Sequence, residues 1–361
     1  MTSTNFALST TLQTRAGEWF LHSGIQEPSG GVARYYRSDL GRNAPVSTEI
    51  TGYAVSFLLY LYDQTGDAEY RDAGLRAARF LVATAWDGSL GVFPFEYGSN
   101  LSYFFDSGII VRGLLSAWRA TKKCEFLETA LSAGRGMLTH FRAANAFHPI
   151  LTLPDRKPRP YEARWSASPG CYQLKSAMAW YDLWKESGDV QMLAAYEAAL
   201  EQALATEQDF LPGETDCAKV MDRLHAYAYF MEGMLPCADR PECARALVGG
   251  MAKVTQHLRD IAPSFARSDV YAQLLRIRLF ADAFAVAPLN TVEAAKEAEA
   301  IATFQIDSGG FIFGTKRGEP MPFVNPVSTA FCAQALTLVG HALACPPLTS
   351  QPNRAATDDL I

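Results

Sequence analysis

Two kinds of helical segment alternate along this chain, with a period of roughly 45–60 residues. Segments of the first kind are apolar on nearly every side, which is typical of helices that are buried all round. Segments of the second kind follow after a short turn and are apolar along one stripe only. Because a single helical hairpin cannot bury such faces alone, neighbouring hairpins must stack against one another. The pattern therefore restricts the chain to a solenoid or a closed ring of helical hairpins.

The first pair of segments shows how the pattern is recognised. Residues 53–62 are apolar throughout, and Gly66 can end their helix in a left-handed conformation. Asp67 can then cap the next helix with its side chain. In that second helix the apolar positions fall on one stripe, which consists of Tyr70, Ala73, Ala77 and Leu81. The pair is thus predicted to be a helical hairpin with one fully buried and one half-buried helix.

Six apolar helices and five amphipathic partners follow this pattern, and one further helix, at 7–21, precedes them. Because the last apolar helix has no partner after it, pairing it with helix 7–21 closes a ring of six inner and six outer helices. The sequence therefore predicts an all-α fold, an (α/α)6 toroid of six helical hairpins, as a single domain over residues 1–345. The apolar helices are predicted at 52–63, 107–121, 170–187, 223–237, 269–285 and 326–344, and their partners at 68–85, 124–141, 190–208, 240–261 and 291–305.

Two segments break the helical pattern and predict short β-hairpin insertions. Residues 29–37 (SGGVARYYR) alternate in hydrophobicity after a Gly-Gly pair, and residues 308–323 (SGGFIFGTKRGEPMPF) do the same. The last segment, 346–361, is polar and contains proline, so we expect it to be a disordered tail.

Charge and motif content exclude several classes of function. The net charge is −6, from 38 acidic and 32 basic residues, and no run of Lys or Arg offers a surface for nucleic acid. We expect a cytoplasmic protein, because the N-terminus lacks a signal-peptide pattern and the longest apolar stretch is too short for a membrane span. The seven cysteines are scattered, and no HExxH or CxxC motif occurs. We therefore expect reduced thiols, no metal site and no cofactor.

In a toroid of this kind, the loops that lead into the inner helices gather around one mouth of the central cavity. Five of these six loops supply a carboxylate, and all are rich in aromatic rings or arginine. Aromatic rings stack on sugars, and a carboxylate pair can run acid/base chemistry at a glycosidic bond. The candidate catalytic residues are Glu49, Asp106, Asp222 and Asp269. The candidate substrate-binding residues are Tyr53, Tyr161, Glu162, Arg164, Trp165, Arg223, His225, Tyr271 and Asn325.

Each of these residues also has a structural interpretation. An aspartate just before an apolar helix is an ordinary N-cap, which applies to Asp106, Asp222 and Asp269. Glutamate is a poor N-cap, so Glu49, which lies directly against a buried helix, is the strongest functional candidate. Tyr161, Trp165 and His225 could instead be core residues. The arginines could balance the carboxylates as buried ion pairs, or one of them could recognise an acidic sugar.

Three segments carry a resemblance to a known family. STEITGYAVSFLLYLYDQTGD, FFDSGIIVRGLLSAWRATKK and NPVSTAFCAQAL resemble the repeats of six-hairpin glycosidase-like toroids. They look closest to bacterial toroid proteins of polysaccharide-biosynthesis clusters, some of which resemble the helical domain of glucuronyl C5-epimerases. The resemblance covers roughly residues 24–343 and rests on repeat motifs, so it implies the fold and a carbohydrate-active protein, and it carries over no catalytic pair. The DxDD motif that a class II terpene cyclase needs is absent.

Three functions remain open at this stage. The first is an enzyme that acts on an oligo- or polysaccharide, by hydrolysis, with Glu49 and Asp106 as the central carboxylates and Asp222 and Asp269 as alternatives. The second is a uronic-acid C5-epimerase or polysaccharide lyase, in which an arginine would bind the substrate carboxylate. The third is a non-catalytic glycan-binding or assembly subunit of a polysaccharide-producing system.

Overall fold

The computed structural model of the chain describes residues 2–211, 216–344 and 357–361. Within these residues, twelve α-helices carry the fold and short strands lie in their connections. The helices are α1 (Thr2–His22), α2 (Thr48–Thr65), α3 (Ala68–Phe80), α4 (Phe104–Thr121), α5 (Cys124–His140), α6 (Leu174–Ser187), α7 (Val190–Thr206), α8 (Cys217–Met234), α9 (Pro241–Ile261), α10 (Ser268–Ala283), α11 (Thr291–Ala302) and α12 (Pro326–Ala344).

The strands are only two or three residues long. They are β1 (Val32–Ala33), β2 (Tyr36–Arg37), β3 (Arg42–Asn43), β4 (Val46–Ser47), β5 (Leu101–Tyr103), β6 (Ile150–Thr152), β7 (Lys157–Pro158), β8 (Phe265–Arg267), β9 (Gly314–Lys316), β10 (Glu319–Pro320) and β11 (Phe323–Val324). All pairings are antiparallel, in the orders β1-β4, β11-β2-β3, β5-β6-β7 and β10-β9-β8.

Local chemistry sets the helix ends as the sequence predicts. The Ser47 side chain accepts a hydrogen bond from the Ile50 amide and caps α2. That helix ends at Gly66, whose φ of 73° is left-handed and whose amide donates to the Tyr62 carbonyl oxygen. The Asp67 side chain then caps α3. The even-numbered helices are buried on most sides, whereas α9, an odd-numbered one, is buried along one stripe.

The chain divides into two compact units. The α2–α7 unit consists of Gln26–Arg34 and Ala44–Phe210, and the α8–α12 unit consists of Met1–Ile25, Tyr35–Asn43 and Leu211–Ile361. In the first, α2 packs against α3 and α4, α4 against α5 and α6, and α6 against α7. In the second, α10 packs against α8, α11 and α12, and α12 packs against α1. The predicted pairing of the first and last helices is therefore confirmed, while the single domain over 1–345 stays a prediction.

Two features of the helical framework and its insertions differ from the sequence-based expectations. Residues 29–37 do not form a hairpin, because the Gly30 turn folds the chain back onto Glu27, β1 pairs with β4, and β2 pairs with β3 and β11. The second expected hairpin is present as β9 and β10. Helix α8 begins at Cys217, six residues before the predicted position 223, because the Asp216 side chain caps it.

The C-terminal segment differs as well. Residues 346–356 of the expected disordered tail lie outside the described residues. Residues 357–361 pack within the α8–α12 unit, where Leu360 and Ile361 are buried. The Ile361 amide donates to the Gln334 side-chain oxygen, and Arg276 donates to the Ile361 carbonyl oxygen. None of the helices in the described part of the chain is both long and apolar enough to cross a membrane.

Candidate functional site

Glu49 lies in the first turn of α2, and the start of this helix is firmly held. The Ser47 side chain takes the N-cap role, so the Glu49 carboxylate is not used for capping. The Thr48 hydroxyl donates to the Pro94 carbonyl oxygen at 2.6 Å, and the Thr51 hydroxyl accepts from the Val32 amide at 2.9 Å. These bonds tie the first turn of α2 to two neighbouring segments and so fix the position of Glu49.

Asp106 occupies the corresponding first turn of α4. The cap position of α4 is Tyr103 and not Asp106, so the capping role considered for Asp106 does not apply. Close packing of the two helices depends on glycine. A Cβ on Gly52 would lie 2.9 Å from the Ile110 Cα, and a Cβ on Gly113 would lie 2.5 Å from the Gly52 carbonyl oxygen. The two glycines therefore allow α2 and α4 to approach closely enough for their first-turn carboxyl groups to interact.

The two carboxyl groups perturb each other in a water-poor setting. Burial raises the pKa of Glu49 to about 7, against the opposing charge of Arg34. Burial also raises the pKa of Asp106 well above its usual range, and the negative charge of Glu49 raises it further. The Asp106 Oδ2 atom is enclosed and has no hydrogen-bond partner among the described residues. Near neutral pH the pair therefore holds a proton that ordinary carboxyl groups would have lost, which suits acid/base catalysis.

Arg34 lies beside this pair, and two further arginines lie near Tyr103. The Arg34 guanidinium stacks on the Phe95 ring at 4.3 Å and lies 3.6 Å from the Glu96 carboxylate. Burial raises the pKa of Tyr103, while the charges of Arg164, Arg159 and Arg34 act in the opposite direction, so all three arginines lie near this tyrosine. Arg164 is exposed and makes no ion pair among the described residues. This is the behaviour expected of an arginine that is available to an acidic ligand.

The rest of the loop at 161–165 is more structural than predicted. Tyr161 is 50% exposed and its hydroxyl bonds to His148 Nδ1 at 2.9 Å. Glu162 is exposed and lies 3.6 Å from Arg159. Trp165 packs edge-on against Tyr172, with the ring centroids 4.9 Å apart. Tyr53, one helical turn after Glu49, is buried in the core.

A second cluster lies in the α8–α12 unit, around Arg267. Its guanidinium donates two hydrogen bonds to Asp269, at 3.0 and 2.6 Å, and one to Asp222 at 2.7 Å. Burial is the largest single influence on the pKa of Asp269 and would raise it, but the nearby positive charge and the hydrogen bonds from Arg267 and the Val270 amide together leave this pKa below its ordinary value. Asp269 is therefore an ionised partner of arginine and is poorly suited to donate a proton. For Arg267, the ion-pair interpretation applies.

His225 borders this cluster. Its Nδ1 atom lies 2.8 Å from the Gln273 side-chain oxygen and 3.4 Å from the Asp269 carboxylate. Both neighbours can accept a hydrogen bond, which favours the tautomer with its proton on Nδ1. Burial lowers the pKa of His225 against the opposing charge of Asp269, so the ring is neutral at pH 7. Nε2 has no partner among the described residues and is the atom left to exchange a proton.

Three predicted residues take other positions. Tyr271 packs beside Phe304, on the side of α10 that faces away from Asp269. Asn325 caps α12 by accepting from the amides of Val327 and Ser328, so its side-chain oxygen is occupied. Asp222, Arg223 and His225 lie within α8 instead of a loop, because this helix starts early. That residues of both units face one cavity stays a prediction.

Several residues around both clusters could not be predicted from the sequence pattern. Arg34 lies in the expected hairpin at 29–37. In the structure it follows Val32 by two residues, and the Val32 amide donates to the Thr51 hydroxyl of α2. Tyr103 ends the short strand β5 and Arg159 follows the short strand β7, and the sequence pattern predicts neither strand. Gln273 could have been found, because it lies four residues after Asp269 on a helix and therefore on the same face. No group of three or more metal-ligating side chains occurs in the described ranges.

No protein-family profile matches the sequence, and a search of curated proteins finds no relative. Solved structures do resemble it. The cellobiose 2-epimerase from Spirochaeta thermophila DSM 6192 has a TM-score of 0.72 at 14% identity, over 95% of this chain and 99% of that chain. A possible GH105 member from Salmonella enterica has a TM-score of 0.63 at 13% identity, over 92% and 93%. The type II terpene cyclase MstE from Scytonema has a TM-score of 0.62 at 12% identity, over 93% and 99%.

The names of these three proteins indicate different reactions, but the proteins share one architecture. Likeness at 12–14% identity shows the fold and leaves the reaction to be argued from the site itself. The expected fold class is confirmed by it: this chain has the all-α (α/α)6 fold with short β-hairpin insertions.

Proposed function

We propose that the protein is a carbohydrate-active enzyme that hydrolyses a glycosidic bond in an oligo- or polysaccharide, with Glu49 and Asp106 as its general acid/base pair. One observation carries this proposal: the half-buried carboxyl group of Glu49 and the buried one of Asp106, at the starts of adjacent helices, both have a raised pKa. In glycoside hydrolysis, one carboxylic acid protonates the leaving oxygen while the other, as carboxylate, activates water or attacks the sugar. A pair that retains one proton near pH 7 supplies both forms at once.

Other features favour a sugar as the substrate. The rings of Phe95 and Tyr103 lie 5.0 Å apart beside the carboxyl pair, and Arg34 and Arg164 add hydrogen-bond donors. The names of two similar structures, a cellobiose 2-epimerase and a possible GH105 member, point to sugar chemistry. The terpene cyclase of the same fold offers no support for its own reaction, because the DxDD motif is absent here.

Activity measurements on a panel of oligosaccharides test this proposal through the release of reducing ends. We expect Glu49→Gln and Asp106→Asn each to lower kcat by about 10²–10⁴-fold, the usual contribution of a positioned acid or base. Glu69→Gln serves as the matched control, because Glu69 is an exposed residue in the first turn of the outer helix α3. Wild-type turnover in the Glu49 and Asp106 variants would refute the assignment. Glycan binding by a wild type that turns over no sugar would favour the non-catalytic subunit instead.

A second candidate function is epimerisation or elimination at a carbon next to a carboxylate or carbonyl group, as in uronic-acid C5-epimerases and lyases. The observation that favours it is His225, a neutral imidazole whose Nδ1 is held by Gln273 and whose Nε2 has no partner among the described residues. Such a ring can accept the proton of an acidic C–H bond. Incorporation of solvent deuterium into a uronate oligosaccharide, lost in His225→Gln and retained in Glu49→Gln, would establish this function over hydrolysis.

A further inference from the structure

A cavity of about 590 Å³ lies in the α2–α7 unit, outside the two clusters described above. It is formed by the end of the α3 segment, the loop that leads to β5, and the turn after β6. Its volume falls in the range of small-molecule sites, and it is shallow and widely open to solvent. The residues that matter for its chemistry are Trp86, Tyr97 and Asn100.

These three side chains keep unused binding capacity. Tyr97 is 68% exposed and is among the most exposed large apolar residues described. Trp86 packs one part of its ring against Phe93, with centroids 4.8 Å apart, and its indole N–H has no hydrogen-bond partner among the described residues. Asn100 is exposed, and its side-chain amide is equally free within the described ranges. A ligand in this cleft can reach an exposed aromatic ring, an indole N–H and a side-chain amide without displacing a partner within the described part of the chain.

The chemistry of the lining favours an uncharged sugar unit. No Lys or Arg lines the cavity. Its one acidic residue, Asp87, accepts hydrogen bonds from the amide and the hydroxyl of Ser89, at 2.8 and 2.6 Å. Flat aromatic surface combined with neutral donors and acceptors matches the alternating apolar faces and hydroxyl rims of a pyranose. Arg156 lies beside the lining, but its guanidinium already donates to the carbonyl oxygens of Ser89 and Leu90, at 3.2 and 3.0 Å.

The cavity is connected to the carboxyl pair through one loop. Pro94, which lines the cavity, accepts a hydrogen bond from the hydroxyl of Thr48, the residue before Glu49. The next residue, Phe95, contacts Tyr103, which immediately precedes the helix of Asp106. The same loop thus lines the cavity and holds the helix start that carries Glu49.

We propose that this cavity is an accessory subsite for a neutral sugar unit of a glycan chain that extends from the Glu49–Asp106 site, with Tyr97 as the stacking platform and Trp86 and Asn100 as hydrogen-bond donors. The proposal rests on the proposed function in so far as the same glycan is the substrate. It deepens that function by assigning the enzyme to chains of several units instead of single sugars or disaccharides.

The test measures binding with the catalytically impaired Glu49→Gln protein. The probes are matched oligosaccharides of two and six units, built from glucose, mannose, galactose or galacturonate, and measured by calorimetry. We expect at least one neutral six-unit chain to bind about tenfold or more tightly than its two-unit counterpart, a difference of about 1.4 kcal/mol, and the galacturonate chain to show no such gain. In the same background, Tyr97→Ala and Trp86→Phe should remove most of this advantage and leave disaccharide binding unchanged. Trp86→Phe preserves the packing on Phe93, so a loss there reports on the indole N–H.

Val190→Ala is the control, since Val190 is a 71% exposed apolar residue elsewhere in the same unit. The subsite is overturned if no neutral six-unit probe binds more tightly than its two-unit counterpart, if only the galacturonate chain does so, or if the Tyr97 and Trp86 variants behave like Val190→Ala. Turnover of the same sugars is measured in parallel for the wild-type protein and for Glu49→Gln. If length-dependent binding needs Tyr97 but turnover survives Glu49→Gln, the subsite stands and the proposed catalytic pair fails.

Discussion

Replacing Glu49 with glutamine should stabilise the folded protein above pH 7, although the substitution removes the proposed catalytic group. The pKa of Glu49 is raised by burial from 4.5 to about 7, so the folded state retains a proton that the unfolded chain releases. This contribution to the stability of the wild type is fully present below pH 4.5 and is lost as the pH rises through 7. Each pH unit in this window costs roughly 1 kcal/mol, so the total loss reaches up to about 3 kcal/mol.

Glutamine has nearly the same shape and never ionises, so the variant escapes this loss. The free energy of unfolding of Glu49→Gln, relative to wild type, should therefore rise by up to about 3 kcal/mol between pH 4.5 and pH 8. Urea unfolding followed by circular dichroism at pH 5, 6, 7 and 8 measures this difference. Glu69→Gln, at an exposed position, should show no such trend.

A difference between Glu49→Gln and wild type that stays constant from pH 5 to pH 8 would refute the reasoning. It would mean that the Glu49 carboxyl group ionises in the folded state as it does in water. A stabilised but inactive variant is instead the signature of a residue that is retained for function at a cost to stability.

Three further predictions concern the framework, and urea unfolding measures each. Gly108→Ala should destabilise the protein by about 1–3 kcal/mol and reduce activity, because the new Cβ would overlap the Ser176 carbonyl oxygen and displace the helix of the proposed acid/base pair; unchanged stability would contradict this. Asp182→Ala should cost about 3–5 kcal/mol, because it removes the carboxylate, 2.8 Å away, from the buried Arg112; a loss below 1 kcal/mol would show that the pair is dispensable. Deleting residues 357–361 should cost about 3–6 kcal/mol through the loss of two buried aliphatic side chains; an equally stable truncated protein would contradict the observed packing.

Most of the helical framework could be predicted from the sequence. The apolar run at 53–62 and the turn residues Gly66 and Asp67 act locally, and the structure places α2 and α3 where they indicate. The same signals repeat along the chain, so the hairpin count could be predicted too. The early start of α8 could not be predicted. Asp216 is one of several possible capping residues in this segment, and the first turns of the helix are too polar to show an apolar pattern.

The candidate site was predictable in part. Glu49 and Asp106 each stand at the start of an apolar helix, and this position is what singled them out. Whether an acidic residue pairs with a neighbouring arginine depends on contacts between distant segments. Asp269 forms an ion pair with Arg267, whereas Arg164 makes no ion pair among the described residues. In the sequence both residues are candidates for the site, and no local pattern shows which of them forms an ion pair. Only the packing of distant segments decides this.

The subsite cavity was not predicted for a related reason. Tyr97 and Asn100 lie in an irregular loop, where no periodicity distinguishes an exposed ring from a buried one. Trp86 follows an outer helix and looks like a core residue in the sequence. Its unused indole N–H becomes visible only once its neighbours are known.

Titration of the side-chain carboxyl groups by carbon-13 NMR tests the central claim most directly, because it needs no knowledge of the substrate. Protein labelled at Glu and Asp carboxyl carbons is followed from pH 4 to pH 9, and the Glu49→Gln and Asp106→Asn variants assign the two signals. We expect Glu49 to titrate near pH 7 and Asp106 to have a pKa well above its usual range, which should fall when Glu49→Gln removes the neighbouring charge. Two carboxyl groups that are both fully ionised by pH 5, and that titrate independently of each other, would contradict the proposed acid/base pair.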